Sequence, residues 1–252
     1  MPTNTQPTFL LLRGLVREQR HWGTFPELLI EQCPEYKQLM LDIPGNGQWY
    51  QSESPRTIAG MTESLRQQID AQGLRGPFIP LALSMGGMIA LDWMQRYPHE
   101  ITAGVVVNTS LSNFSPFYRR LRWQCYGEFF RLFRQNPAQR ELTILGFISN
   151  HQRDNAALLA QWQAWQQETP VAPHNALNQI IASARFTMSQ KPVQPLLIVS
   201  AKADRMVDPS CSVKIQQAWH CAFAEHPSAG HDLPLDAPEW LAATIKDWLS
   251  SI

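Results

Sequence analysis

The chain has 252 residues, 44% of them hydrophobic, and its 21 Lys and Arg are balanced by 21 Asp and Glu. That is enough apolar material for one large α/β domain or two small ones, and zero net charge speaks against nucleic acid or an anionic membrane surface as a partner. The four cysteines, Cys33, Cys125, Cys211 and Cys221, form no C-x-x-C pair, which argues against a zinc knuckle or a thioredoxin-like site and reads as reduced thiols in a cytoplasmic protein.

Thr3, Asn4 and Gln6 lead into the apolar run Thr8 to Leu12, which is too short for a signal-peptide core and is continuous, as a strand buried on both faces is. No apolar run reaches the length needed to cross a bilayer. Trp22 to Ile30 predicts a short helix, and Leu39-Met40-Leu41 within Tyr36 to Ile43 a second strand, closed by the turn residues Pro44-Gly45-Asn46-Gly47. Ile58, Met61, Leu65 and Ile69 recur at helical spacing in Thr57 to Gln72, with Gly73 as the stop. Pro77 to Leu83 reads as a strand, Met85 to Tyr97 as a helix ended by Pro98, and Ile101 to Val107 as the next strand.

From Leu111 to about Arg185 the alternation stops and the pattern is helical throughout, an insertion without a sheet of its own. It resumes with Pro195 to Val199 as strand, Ser212 to His220 as helix, Cys221 to Glu225 as strand and Pro238 to Leu249 as the final helix. Alternating strands and helices imply a parallel sheet with right-handed crossovers, so the carboxyl ends of the strands, and the loops that carry chemistry, share one edge.

The stretch Ala82-Leu83-Ser84-Met85-Gly86 lies between a strand and a helix. A sharp strand-to-helix turn requires small residues two before and two after the central serine, and it exposes the hydroxyl beside the amide of the next residue, Met85. Ser84 is therefore the candidate nucleophile, against the alternative of a serine that caps a buried helix. Such a hydroxyl needs a histidine to take its proton and an acid to orient that histidine. In Ile198-Val199-Ser200-Ala201-Lys202-Ala203-Asp204 the aspartate lies just past the end of the strand Pro195 to Val199, and His231 lies in the loop before the last helix. Asp208 and His226 are the rivals for these roles, and His21, His99, His151, His174 and His220 read as surface or capping residues.

The order Ser84, Asp204, His231 resembles the α/β-hydrolase superfamily, and further motifs extend the resemblance over essentially the whole chain. Arg13-Gly14 stands where members have His-Gly, Asp42-Ile43-Pro44-Gly45-Asn46-Gly47 resembles their D-x-P-G-x-G loop, and Asp204-Arg205-Met206-Val207 resembles their D-x-x-V acid loop. The resemblance implies an α/β-hydrolase fold of about six mostly parallel strands, without the leading antiparallel hairpin of many members. It implies a core of residues 1–111 and 186–252, a helical lid at 112–185, and a second oxyanion amide from Leu15. Arg13 in place of histidine and Ala82 in place of glycine are departures from the family pattern.

A hydrolase of this kind would cleave a carboxylic ester of a small or medium acyl substrate. The alternatives are a thioesterase or C–C bond hydrolase with the same three residues, or a non-catalytic binding protein on this fold. No metal or cofactor is implied. Between positions 115 and 140 six arginines face one glutamate. That is either a solvated helix face or, through Arg119, Arg120 and Arg122, a surface for an anionic or carrier-bound substrate. Phe114, Phe117 and Tyr118, followed by Trp123, Tyr126 and Phe129, are candidates for the floor of an acyl pocket, against a plain core role.

Overall fold

The computed structural model describes residues 6–132 and 134–252, so Thr3 and Asn4 of the expected lead-in lie outside the described residues. In chain order the elements are β1 (Thr8–Leu12), α1 (Phe25–Gln32), β2 (Lys37–Leu41), α2 (Ile58–Ala71), β3 (Phe78–Leu83), α3 (Met85–Arg96) and β4 (Gly104–Val107). Five helices follow without a strand: α4 (Phe117–Arg120), α5 (Tyr126–Leu132), α6 (Pro137–Ile148), α7 (Ala156–Glu168) and α8 (Pro173–Arg185). Then come β5 (Leu196–Ala201), α9 (Ser210–Trp219), β6 (Ala222–His226), α10 (Leu233–Asp236) and α11 (Pro238–Leu249).

The six strands form one sheet in the order β2-β1-β3-β4-β5-β6, every pairing parallel. Side chains along a strand alternate between faces, and here both faces are covered. Leu10, Leu12, Ala82, Val106 and Ile198 join one buried cluster, while their chain neighbours Phe9, Leu11, Leu83, Val107 and Val199 join the other. This double burial is why β1, β3 and β5 read as continuous apolar runs.

Several boundaries differ from the sequence expectation by a residue or more, and two of the differences have a visible backbone reason. The first helix begins at Phe25 rather than Trp22, because Gly23 adopts φ 57° and separates it from a 3-10 turn at Gln19–Trp22. The fourth strand is shorter than Ile101 to Val107. The pairing of β3 with it breaks between Phe78↔Ile101 and Leu81↔Val105, and Pro80, which has no N–H to donate, sits in that gap. Elsewhere the local signals hold: the Thr57 hydroxyl accepts from the Gly60 amide at the start of α2, and Gly73 follows its end at φ 69°. Among the described residues no helix is long and apolar enough to cross a membrane, and no three His, Cys, Asp or Glu cluster as metal ligands.

Candidate active site

Ser84 joins β3 to α3 at φ 57° and ψ −116°, a conformation that costs a non-glycine residue strain and persists only where neighbours enforce it. They do so here. The Ser84 amide donates to the Val107 carbonyl at 2.8 Å, and the Ser84 carbonyl accepts from the Gly87 amide at 3.0 Å and the Thr109 hydroxyl at 2.9 Å. Gly86 must lack a side chain because a Cβ there would lie 2.5 Å from the Leu12 carbonyl oxygen. Helix α3 thus packs directly on the end of β1, and the serine hydroxyl is left at the carboxyl edge of the sheet.

At that edge His231 Nδ1 donates to Asp204 Oδ2 at 2.7 Å, with both side chains buried. The other oxygen of Asp204 accepts the amides of Met206 at 2.8 Å and Val207 at 2.9 Å, so the loop itself fixes the carboxylate. Asp208 is turned elsewhere and accepts from the Ser210 amide at the start of α9. His226 accepts from the amides of Ser228 and Ala229 and packs edge-on against Trp240. For His231, burial works against the charged ring, yet the Asp204 carboxylate, by charge and hydrogen bond and with Asp232 adding to it, outweighs burial and raises the pKa above 6.5.

Ser84 and His231 line one small cavity together with Gly14, Leu15 and Asp232. Ser84 and Leu15 also line a larger, mainly apolar cavity of about 500 Å³ beneath α4, α5 and α8. Among the described residues the amides of Leu15 and Met85 donate to no protein acceptor, and the latter is the first N–H of a helix, where none is available within the helix.

The alpha/beta hydrolase family profile matches residues 9–244. The chain belongs to the alpha/beta hydrolase family. It is 26% identical to a pimeloyl-[acyl-carrier protein] methyl ester esterase of Hamiltonella defensa, over 84% of this chain and 80% of that one. It is 23% identical to the biotin biosynthesis bifunctional protein BioHC of Teredinibacter turnerae, covering 98% of this chain but only 46% of the longer protein. In fold it is similar to the enol-lactonase of Burkholderia xenovorans, with a TM-score of 0.78 at 17% identity over 99% of this chain and 94% of that one.

The departure of this alpha/beta hydrolase at Arg13 has a visible reason. Arg13 is buried, stacks over Trp22 at 4.9 Å, and pairs through both terminal nitrogens with Asp232, the residue after His231. The ion pair thus ties the loop that carries the Leu15 amide to the loop that carries His231. Because one partner alone would be an uncompensated buried charge, Asp232→Ala is expected to lower stability by about 3–5 kcal/mol. Urea unfolding measures this, and a loss under about 1 kcal/mol would mean that water reaches Arg13.

The same loop is held from the helical insertion. Val16, at φ 52°, donates its amide to Gln179 of α8 at 2.9 Å, and Arg17 donates to Glu141 of α6 at 2.9 Å. His21, read as a surface or capping residue, caps the turn at Gln19–Trp22 by accepting from the Glu18 amide, but it is buried, between Trp162 and Trp165 of α7. Burial first, and then the charges of Arg17 and Arg13, hold its pKa well below 6.5, so it stays neutral. Asn108, at φ 47° past β4, donates to the His231 carbonyl at 2.8 Å and accepts from the Ala201 amide at 2.8 Å. Its only sequence signal is an asparagine directly after a valine run, a residue that tolerates positive φ.

Of the residues offered as substrate contacts, Phe117 and Arg120 line the large cavity. Four do not. Phe114 packs on the core and edge-on against Trp219, and Tyr118 is half exposed against Phe117. Arg119 donates to Ser210 Oγ, and Arg122 to the Asp204 carbonyl, so both are structural ties beside the acid loop.

Proposed function

We propose that this chain is a serine hydrolase that cleaves a carboxylic ester of a small or medium acyl substrate through an acyl-enzyme. The observation that carries the reading is the 2.7 Å His231–Asp204 bond, which opens onto the cavity where Ser84 stands in its enforced conformation. His231 Nε2 takes the proton of the Ser84 hydroxyl while Oγ attacks the ester carbonyl carbon, and the oxygen that becomes negative is met by the Leu15 and Met85 amides. Collapse breaks the bond to the alcohol, which leaves with the proton held by His231. Water then gives a proton to His231 and attacks the acyl carbon, and the second collapse frees the acid and returns the proton to Ser84.

In this reading residues 112–185 form a lid over a core of residues 1–111 and 186–252, and the large cavity beneath them receives the acyl chain. Its volume of about 500 Å³ lies within the range of small-molecule sites. The similarity to a methyl ester esterase, so named, favours oxygen esters, and that protein's name also points to a carrier-bound substrate. The test is a panel of esters, thioesters and β-diketones with short, medium and long acyl chains. Turnover is expected on esters, highest at medium length. Preferential cleavage of the thioesters or the C–C bonds replaces the ester reading, and no turnover on any member returns the chain to a binding role.

A further inference from the structure

Thirteen of the residues lining the large cavity are aliphatic, aromatic or methionine side chains from the sheet edge and the helical insertion, among them Met88, Leu121, Phe130, Leu177, Ile180 and Val207. One charged side chain, Arg120, reaches the wall among the described residues. The buried arginines, Arg13 and Arg17, meet carboxylates, on Asp232 and Glu141, whereas Arg120 is half-buried. Arg120 meets none among the described residues. Its Nε donates to Ser110 Oγ at 3.2 Å, one terminal nitrogen to the Ala184 carbonyl at 2.9 Å and the other to the Ser183 carbonyl.

Those two carbonyls belong to the last turn of α8, whose negative end a cation favours. Two bonds to the helix end and one to Ser110 account for three of the five N–H groups of a guanidinium. They leave one N–H on each terminal nitrogen without a protein acceptor among the described residues, beside an apolar cavity shared with Ser84. Burial pushes the Arg120 pKa down.

We infer that Arg120 recognises an anionic group at the far end of the acyl chain, so that the substrate class is an ester whose apolar acyl chain ends in a carboxylate. The chain fills the apolar wall, the ester carbonyl lies at Ser84, and the terminal carboxylate supplies the counter-charge that the protein withholds. A carboxylate suits the two remaining donors, whereas a phosphate has more oxygens to satisfy than Arg120 can serve. The inference deepens the ester-hydrolase reading of this same cavity and rests on it.

The experiment uses matched aryl esters of one medium chain length, ending in methyl, in carboxylate or in phosphonate. Wild-type protein should favour the carboxylate-ended ester over the methyl-ended one in kcat/KM, mainly through KM. Arg120→Met should reduce that ratio about ten- to a hundredfold, the worth of a hydrogen-bonded charge. Arg120→Lys should keep part of it. A wild-type preference for the methyl end overturns the inference, as does a ratio unchanged in Arg120→Met because both esters decline together, the result expected of a helix cap alone. A phosphonate preferred to the carboxylate overturns the choice of anion.

Binding separates this inference from the reading beneath it. Calorimetry on Ser84→Ala protein with the carboxylate- and methyl-ended esters should show the same preference without turnover. Equal binding of the two overturns the role of Arg120. Preferential binding of the carboxylate-ended ester, with no wild-type turnover of any ester, sustains Arg120 and removes the hydrolase instead. If Arg120→Met does not fold, the wild-type ratio and Arg120→Lys decide.

Discussion

Ser84→Ala is expected to lower ester turnover about a million-fold, the loss seen when the nucleophile of a serine protease is removed, and to abolish the adduct that a fluorophosphonate leaves on the wild-type protein. The probe reacts readily only with a serine whose proton has a base to go to and whose developing oxyanion has donors waiting. The backbone that sets this up does not depend on the hydroxyl. The contacts that hold residue 84 at φ 57° run through its amide and carbonyl, to Val107, Gly87 and Thr109. The variant should therefore fold as the wild type does, and the residual rate should report the Leu15 and Met85 amides alone. Intact-protein mass measurement reads the adduct. Equal, slight labelling of both proteins would sink Ser84 as nucleophile and leave a binding protein on this fold.

How much of this was legible in the sequence depended on how local the cause was. Gly86 could be read in advance because any strand that turns at once into a helix brings the helix against the neighbouring strand end, here the Leu12 carbonyl. The four apolar residues of β1, Phe9 to Leu12, could be read because helices cover both faces of the sheet. Asp204 and Asp208 could be ranked but not separated, since both follow a strand, and the difference lies in which one the Met206 and Val207 amides clamp beside His231.

The Arg13–Asp232 pair was out of reach, because its partners are 219 positions apart and only the closed fold brings them together. Arg119, Arg120 and Arg122 make the same point within four residues. A charge count treats them as one patch, but α4 and the extended backbone after it send them to Ser210, to the end of α8 and to the Asp204 carbonyl. Periodicity identified the inserted helices and left open which side chains would face a cavity, since several helices pack at once and Phe114 and Phe117 differ only in what the neighbouring elements present to them.

Asp204→Asn is expected to reduce kcat about ten-thousand-fold with the protein still folded, because asparagine at the orienting position holds the histidine in the tautomer that cannot take the serine proton, as in the protease triad. The pH profile should move as well, and the sign follows from the environment of His231. The ring must be neutral to act as base, so kcat/KM falls as the pH drops through its pKa. Burial alone would set that pKa below 6.5, and the Asp204 carboxylate is the main influence that lifts it above. In the wild type the acid limb should therefore lie above the ordinary histidine range. In Asp204→Asn the lift from the carboxylate is gone while burial remains, so the limb should shift to lower pH as the plateau collapses. Asp208→Asn removes a charge beside the Ser210 amide and nothing at His231, and it should leave both limb and plateau in place. If Asp208→Asn instead moves the limb and cripples turnover, the acid that orients His231 in the working enzyme is Asp208, and the loop from Asp204 to Val207 must rearrange when substrate binds.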